Sequence, residues 1–155
     1  MATETHRHPR STAQIAGHPI HPMLIPFPIA FFVGTLATDI VFSLNANPFF
    51  ARMAFYLLAA GLVMAALAAL AGLTDFLGER LIRQKAAAWH HMIGNVTAVT
   101  LQLVNLLVRG GPRNTGAMPL GLYLSIAVVL ILLYTGWRGW EMVYRGHVAI
   151  SDEPE

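Results

Sequence analysis

The 155-residue sequence predicts an all-α integral membrane protein, a bundle of four membrane-spanning helices with both termini on the same side. Hydrophobic residues make up 55% of the chain and charged residues only 12%, and the mean hydropathy is +0.55. Because so few polar groups cannot cover a water-soluble globule of this size, a lipid bilayer is the expected solvent. The chain has no cysteine, which excludes disulfides and thiolate metal ligands. The net charge of +2 is too small to indicate a nucleic-acid partner and fits basic loops at an anionic lipid surface.

Residues 1–16 form a polar segment that contains arginines and histidines. It lacks the apolar core of a secretory signal, so we expect a mobile N-terminal tail rather than a cleaved peptide.

The first predicted span, at about 23–44, is preceded by Gly17-His18-Pro19-Ile20-His21-Pro22. Proline fixes its own φ and disfavours the α region in the residue before it. His18 and His21 are therefore expected outside the α region, and regular helix is expected to begin near Pro28. From there the apolar run is long enough to cross about 30 Å of hydrocarbon if the prolines lie in the interface.

Three further spans are predicted at about 53–76, 89–108 and 120–137, within a membrane domain that covers 17–150. The second span is rich in alanine and glycine, which allow helix backbones to approach closely in lipid. Turn or charged residues occupy the links between the spans. Trp137, Trp140 and Tyr144 follow the last span as an aromatic group typical of the headgroup level. Residues 151–155 form an acidic C-terminal tail.

Four spans place both termini on one side, and the distribution of Lys and Arg predicts which side this is. Because positive residues are retained in the cytoplasm, both termini are predicted to be cytoplasmic. The terminal side carries Arg7, Arg10, Arg80, Arg83, Lys85, Arg138 and Arg145, and the other side carries Arg52, Arg109 and Arg113.

Four spans also place polar residues from separate segments of the chain at the same membrane depth. His91 and Asn95, four residues apart in the third span, share a helix face, whereas His90 is turned about 100° away. We therefore expect His91 and Asn95 to face inward. The residues assigned to this end are His18, His21, Asp75, His90, His91, Glu141, Tyr144, Arg145 and His147.

The histidines have competing interpretations. Anchoring at the lipid interface explains His90 or His147 alone. The tandem His-Pro dipeptides fix the orientation of both imidazoles, which favours His18 and His21 as ligands or as the core of a polar network. In a polyproline helix, however, these two rings would lie about 9 Å apart, too far to bind one ion without an intervening turn.

Two carboxylates near the ends of apolar spans require partners, because an unpaired charge is expensive in a membrane. For Asp75 the expected partner is His91 or Arg80. Asp39 lies near the opposite end of the first span, and a structural ion pair with Arg52 or Arg109 is expected.

Several segments together resemble a bacterial membrane family called domain of unknown function 2231. They are the doubled His-Pro opening, Thr38-Asp39, Gly72-Leu73-Thr74-Asp75, His91 to Asn95, and the segment from Trp137 to Val148. The similarity covers about residues 17–150 and implies a location in the bacterial inner membrane. Some relatives look to be fused to a Rieske-type iron–sulfur domain, which implies electron transfer near a quinone pool or a haem.

The C-terminal motif departs from the pattern that the resemblance implies. The family often shows a second glycine where Trp140 stands, and a Tyr-Arg-His-Gly order where this chain has Tyr144-Arg145-Gly146-His147. This difference weakens any role for His147.

Three function classes remain open, and the sequence does not decide whether the protein is an enzyme. The leading class is a redox module that binds haem b through His18 or His21 and His91, with Asn95 on the same inward face, and that passes electrons to a partner or a quinone. The second is a zinc or iron site built from His18, His21, Asp75 and His91. The third is a non-enzymatic subunit of a membrane complex or a homo-oligomer, in which a His/Asp/Asn network only holds the helices together.

Other classes are disfavoured. The sequence shows no nucleophile elbow, phosphate-binding glycine loop or paired-carboxylate arrangement, which argues against a hydrolase or a nucleotide-dependent enzyme. It also shows no inverted repeat, which argues against a transporter.

Overall fold

A computed structural model describes residues 8–112, 114 and 119–149, and it confirms the predicted all-α fold. Four helical segments in this part of the chain are long and apolar enough to cross a membrane. The helices are α1 Ile20–Leu24, α2 Pro26–Asn45, α3 Pro48–Gly78, α4 Arg80–Arg83, α5 Ala86–Arg109 and α6 Leu120–Tyr144.

A small hairpin precedes the first helix. Strand β1, Gln14–Ile15, pairs antiparallel with strand β2, His18–Pro19. The two residues between the strands both have positive φ, 48° at Ala16 and 81° at Gly17. Positive φ at both central residues is the signature of a type I′ turn, whose twist suits a two-residue hairpin. The backbone N–H of Ile20 then donates to the Ala13 carbonyl at 2.9 Å and ties the hairpin to α1.

The helix at the first span begins earlier than the sequence predicted. His18 is extended in β2, as expected, but His21 lies inside α1, so its predicted exclusion from the α region is wrong. α2 begins at Pro26 rather than near Pro28. The reason is that the first-turn N–H groups of a helix have no intrahelical partner, so prolines there remove no hydrogen bond.

The helices pack as an antiparallel bundle in which α2 lies against α3, and α5 against α6. The central apolar core comprises Phe32, Leu58, Ala65, Ala98 and Val128. At Gly61 of α3, an added Cβ would lie 2.5 Å from the Phe32 ring. Close approach of α2 and α3 therefore requires glycine there, as the small-residue content of the second span predicted.

The bundle is apolar outside and partly polar inside, as expected of a protein in contact with a lipid bilayer. Leu44, Leu107 and Leu133 are 81%, 70% and 68% exposed. Gln102 and Asn105, in contrast, are completely buried. Polar residues inside a membrane bundle are costly to leave in lipid, and they pair with one another here.

The two ends of the described chain meet at one end of the bundle. The N–H of Ala149 donates to the Pro9 carbonyl at 2.9 Å, and the rings of His8 and His147 have centroids 4.8 Å apart. Residues 8–16 of the predicted N-terminal tail thus make contacts with the bundle, and the mobility of the tail stays a prediction. Residues 1–7 and the predicted acidic tail 151–155 lie outside the described residues. We call the end of the bundle where these chain ends meet the terminal end.

Candidate histidine site at the terminal end

Two imidazoles from distant parts of the chain lie close together, edge to face, at the terminal end. The rings of His21 in α1 and His91 in α5 have centroids 6.1 Å apart and are nearly perpendicular, with an interplanar angle of 87°. The sequence predicted that this opening segment and the third span would meet at one membrane depth, and the structure brings them together.

Each ring is fixed by a backbone carbonyl of a different helix. Nδ1 of His21 donates to the Ala68 carbonyl at 2.7 Å, and Nδ1 of His91 donates to the Thr135 carbonyl at 2.9 Å. A carbonyl oxygen can only accept, so each Nδ1 carries a proton. Nε2 of a neutral ring then has a free lone pair. Neither Nε2 atom has a hydrogen-bond partner within the part of the chain that the structure describes.

Glycines on the neighbouring helices make room for both rings. A Cβ added at Gly72 would lie 2.7 Å from Nδ1 and Cε1 of His21, and one added at Gly139 would lie 3.2 Å from the same two atoms of His91. Gly72 lies one turn after Ala68, which binds His21, and Gly139 lies one turn after Thr135, which binds His91. Each ring therefore packs in the same way against a carbonyl and a glycine of one helix.

Asn95 lies on the inward face of α5, as predicted, but its side-chain groups already have partners. Its amide donates to the carbonyl of His91 at 2.7 Å, and its side-chain oxygen accepts from the Thr135 hydroxyl at 3.4 Å. Asn95 therefore joins α5 to α6 beside His91 rather than presenting a free ligand.

Two other histidines assigned to this end, His18 and His90, have partners elsewhere. His18 is exposed, and its Nδ1 donates to the Ala16 carbonyl of its own hairpin at 2.9 Å. His90 is exposed as well, and its Nδ1 lies 3.0 Å from the Tyr134 hydroxyl and 2.8 Å from Arg138. The geometry thus distinguishes His21 and His91 from their sequence neighbours.

Asp75 binds the N-terminal segment, so the expected pairing with His91 or Arg80 is wrong. Its Oδ1 accepts from the Ser11 hydroxyl at 2.8 Å and from the N–H groups of Thr12 and Ala13, both at 2.7 Å. No sequence pattern indicated this contact, because polar residues before a span rarely reveal which carboxylate they bind. Backbone N–H groups form strong charge-assisted hydrogen bonds with a carboxylate, so Asp75 has partners without a cation.

The contact of Asp75 with the N-terminal segment also helps to position His21. Ala13, bound to Asp75, accepts the hydrogen bond from Ile20, the residue immediately before His21. Asp75 thus holds the hairpin against the end of α3, and the hairpin sets where α1 begins.

The predicted four-residue metal site is not assembled. Within residues 8–112, 114 and 119–149, no three His, Asp or Glu side chains form a group that could hold a metal ion. His18 turns towards its own hairpin and Asp75 is bound to the N-terminal segment, which leaves the pair of His21 and His91 from the predicted set.

A buried ion pair lies towards the opposite end of the bundle. Arg109 binds Asp39 through two nitrogens, at 2.9 and 2.6 Å, so Arg109 is the partner among the two expected for Asp39. The Ser125 hydroxyl donates to Asp39 at 2.7 Å, and the side-chain oxygen of Asn105 accepts from Arg109 at 3.0 Å. Asn105 also donates to Gln102 at 3.0 Å. This network joins α2, α5 and α6.

Gln102, Asn105 and Ser125 were missed by the reasoning from sequence. The signal that could have found two of them is the spacing of polar residues on α5. His91, Asn95, Gln102, Asn105 and Arg109 recur at intervals of three, four or seven residues, which places them on one helix face. Ser125 lies alone in an apolar span, and only the packing of α6 against α5 reveals its contact.

Comparisons with known proteins agree with this architecture. A family model described as predicted membrane protein (DUF2231) matches residues 17–152, which is most of the chain. No curated protein and no solved structure matches the sequence.

Proposed function

This chain belongs to the DUF2231 family of predicted membrane proteins, and from its histidine pair we propose that it binds haem b through His21 and His91 and acts in electron transfer. The observation that carries the proposal is the close pair of imidazoles, each with Nδ1 bound to a carbonyl and with no hydrogen-bond partner for Nε2 among the described residues.

The two rings lie close enough together that His21 and His91 would both hold one haem iron if their Nε2 atoms turned towards it. The observed centroid separation is 6.1 Å.

The number of ligands favours haem over a bare ion. A structural zinc ion takes four protein ligands and a catalytic one takes three, with water in the remaining position. Haem iron already has four porphyrin nitrogens, so one or two axial side chains suffice. The described part of the chain offers two imidazoles at this place and no third ligand.

The hydrogen bonds at Nδ1 suit residues that would hold a metal through Nε2. A metal-bound histidine usually donates its other ring N–H to a carbonyl or carboxylate, which fixes the ring orientation and raises the basicity of the ligating nitrogen. Ala68 and Thr135 accept these bonds for His21 and His91. Gly72 and Gly139 lie beside the rings, and because they have no Cβ they leave room for both imidazoles.

Haem held in this way supplies one-electron oxidation and reduction. His91 is the sixth residue of α5, about 8 Å from its start at 1.5 Å per residue. A site near the membrane surface is accessible to a redox partner or to the headgroup of a quinone. We place the protein in the bacterial inner membrane with both termini cytoplasmic, on the basis of the family and the distribution of Lys and Arg. Its association into homo-oligomers stays a prediction.

One observation favours a second candidate function, a non-enzymatic subunit whose polar network only holds the bundle. The Nδ1 bonds join α1 to α3 and α5 to α6, and the pair of Asp39 and Arg109 joins α2 to α5. Under this alternative the Nε2 atoms of His21 and His91 bind no ligand.

Asparagine substitutions separate the two candidates, because the amide nitrogen of Asn takes the position of Nδ1 and nothing replaces Nε2. Purified protein from cells supplied with haem precursor, in detergent, is compared with the variants His21→Asn and His91→Asn. The matched controls are His18→Asn, from the same doubled His-Pro segment, and His90→Asn, the neighbour of His91. Thermal unfolding in detergent shows whether each variant retains its fold.

The haem proposal predicts a Soret band in the native protein and in both controls, and its loss in folded His21→Asn and His91→Asn. A native protein that is purified without colour, and whose spectrum after addition of haem equals that of free haem in the same detergent, contradicts the proposal and favours the structural alternative.

A further inference from the structure

A basic cleft lies at the terminal end, separate from the histidine pair. It has a volume of about 660 Å³ and is open to the outside. Its polar lining comes from His8, Gln84, Lys85, Arg145 and His147, and no acidic residue among those that the structure describes lines it.

The two chain ends and one interhelical link build this cleft. Lys85 directly precedes α5, and Arg145 directly follows α6. The hydrogen bond from Ala149 to Pro9 and the contact between the rings of His8 and His147 hold the two chain ends together at the cleft. A Cβ at Gly146 would lie 3.3 Å from the aliphatic stem of Lys85, so this stem packs against the backbone there.

The positive charges of Lys85 and Arg145 are not fully neutralised by carboxylates among the described residues. Lys85 forms no ion pair within the described residues. Arg145 lies 3.4 Å from Glu141, but this carboxylate binds Arg138 more closely, at 2.6 Å. The guanidinium of Arg145 also lies 5.7 Å from the ring centroid of Trp140.

Aromatic residues indicate the depth of the cleft in the membrane. Trp137, Trp140 and Tyr144 are 64%, 45% and 65% exposed and form a stacked row along the last turns of α6. Exposed Trp and Tyr at a helix end occupy the headgroup region. Arg145 follows this row directly, so the cleft opens where lipid phosphates lie.

We propose that this cleft binds the phosphate headgroup of an anionic lipid, with Lys85 and Arg145 as the principal contacts. A lipid headgroup and inorganic phosphate both present phosphate oxygens to such a cleft. We choose the lipid because the cleft opens at the level of the membrane where lipid phosphates lie. Basic pockets at helix ends on the cytoplasmic side are suited to such headgroups.

The test measures lipid affinity of the full chain, whose acidic residues Asp152, Glu153 and Glu155 contribute their charge. Native mass spectrometry of detergent-solubilised protein, titrated with phosphatidylglycerol, gives the apparent dissociation constant. Lys85→Gln/Arg145→Gln retains part of each aliphatic stem and removes both charges. The control Arg52→Gln/Arg80→Gln removes two charges from exposed positions outside the cleft.

Each basic residue near an anionic surface contributes about a fivefold change in affinity, so the cleft variant should bind phosphatidylglycerol about 25-fold more weakly. The control variant should bind like the native protein, and inorganic phosphate at millimolar concentration should not displace the lipid. Equal weakening in both double variants overturns the proposal, because the attraction is then non-specific. Displacement by inorganic phosphate overturns the choice of a lipid ligand.

Discussion

Hydrogen bonds to two backbone carbonyls determine which nitrogen of His21 and of His91 is available. The sequence predicted that His91 faces inward, because the spacing to Asn95 defines a helix face. It could not predict the orientation of either ring, since the acceptors at Ala68 and Thr135 belong to other helices. The choice between His18 and His21 also required the structure, because both residues precede proline and only the hairpin turns His18 away.

Asp75 provides a prediction at the level of a single carboxylate. In Asp75→Ala, the N–H groups of Thr12 and Ala13 lose an acceptor at 2.7 Å. Hydrogen bonds to a charged group contribute about 1.5–3 kcal/mol, so protection from hydrogen exchange in residues 8–20 should fall at least about tenfold. Exchange measured by mass spectrometry in detergent checks this.

The control for Asp75 is Glu79→Ala, which removes a cap on Leu81 at the same end without touching the N-terminal segment. Residues 8–20 should exchange in this variant as in the native protein. Unchanged protection in Asp75→Ala would mean that Asp75 does not hold the segment.

The buried pair of Asp39 and Arg109 provides a second prediction. Asp39→Ala leaves the guanidinium without a carboxylate in an apolar environment, where breaking a buried pair costs about 3–5 kcal/mol. Arg109→Ala should cost a similar amount. The double variant should cost clearly less than the sum, because neither charge is then left alone.

Unfolding equilibria in detergent measure these differences. Arg52→Ala, an exposed arginine near the same end, serves as the control and should change stability by less than about 0.5 kcal/mol. Additive costs for Asp39→Ala and Arg109→Ala would show that the two residues do not interact.

Among the helices, α6 contains two glycines that differ in their surroundings. A Cβ at Gly139 would lie 3.2 Å from the His91 ring, whereas a Cβ at Gly136 would meet nothing within 4 Å. Gly136→Ala should therefore stabilise the helix slightly through its higher propensity. Gly139→Ala should be less stable than Gly136→Ala by about 1–3 kcal/mol, because it overpacks the site.

Thermal unfolding of the two glycine variants in detergent tests this difference. Equal stabilisation by both substitutions would contradict the close packing of α6 against His91.

The helices themselves were largely predictable, and the short elements before them were not. Long apolar runs locate four spans to within a few residues at most ends, because length and composition alone determine membrane crossing. The predicted start of α2 was wrong because proline is tolerated in the first turn of a helix, where its missing N–H removes no hydrogen bond. The hairpin of residues 14–19 was not predicted, since Ala16 at positive φ is uncommon for a residue with a Cβ.

For the molecule as a whole, the number of membrane crossings predicted which segments lie near one another. An even number places the doubled His-Pro segment, the end of α3, the start of α5 and the end of α6 at one end of the bundle. The structure confirms this placement through Asp75, His21, His91 and the meeting of the chain ends. The polar network at the other end was only half predicted, because pairing between spans depends on how the helices rotate about their axes.

Membrane orientation gives a prediction for the whole chain. Seven of the ten Lys and Arg residues are assigned to the terminal side, so both termini should be cytoplasmic. Because the chain has no native cysteine, single cysteines at the exposed positions Gln14 and Asn47 can be labelled in intact cells with a membrane-impermeant maleimide. The cysteine at position 47 should react, and the cysteine at position 14 should react only after lysis. The reverse pattern would contradict the predicted orientation.

Absorption and electron paramagnetic resonance spectra of the native protein, titrated with haem in detergent, decide whether His21 and His91 bind haem. We expect binding that saturates at one haem per chain, with the low-spin ferric signal of haem bound by two imidazoles. Absence of a Soret shift, or a high-spin five-coordinate signal that persists in His21→Asn and His91→Asn, would rule out this assignment.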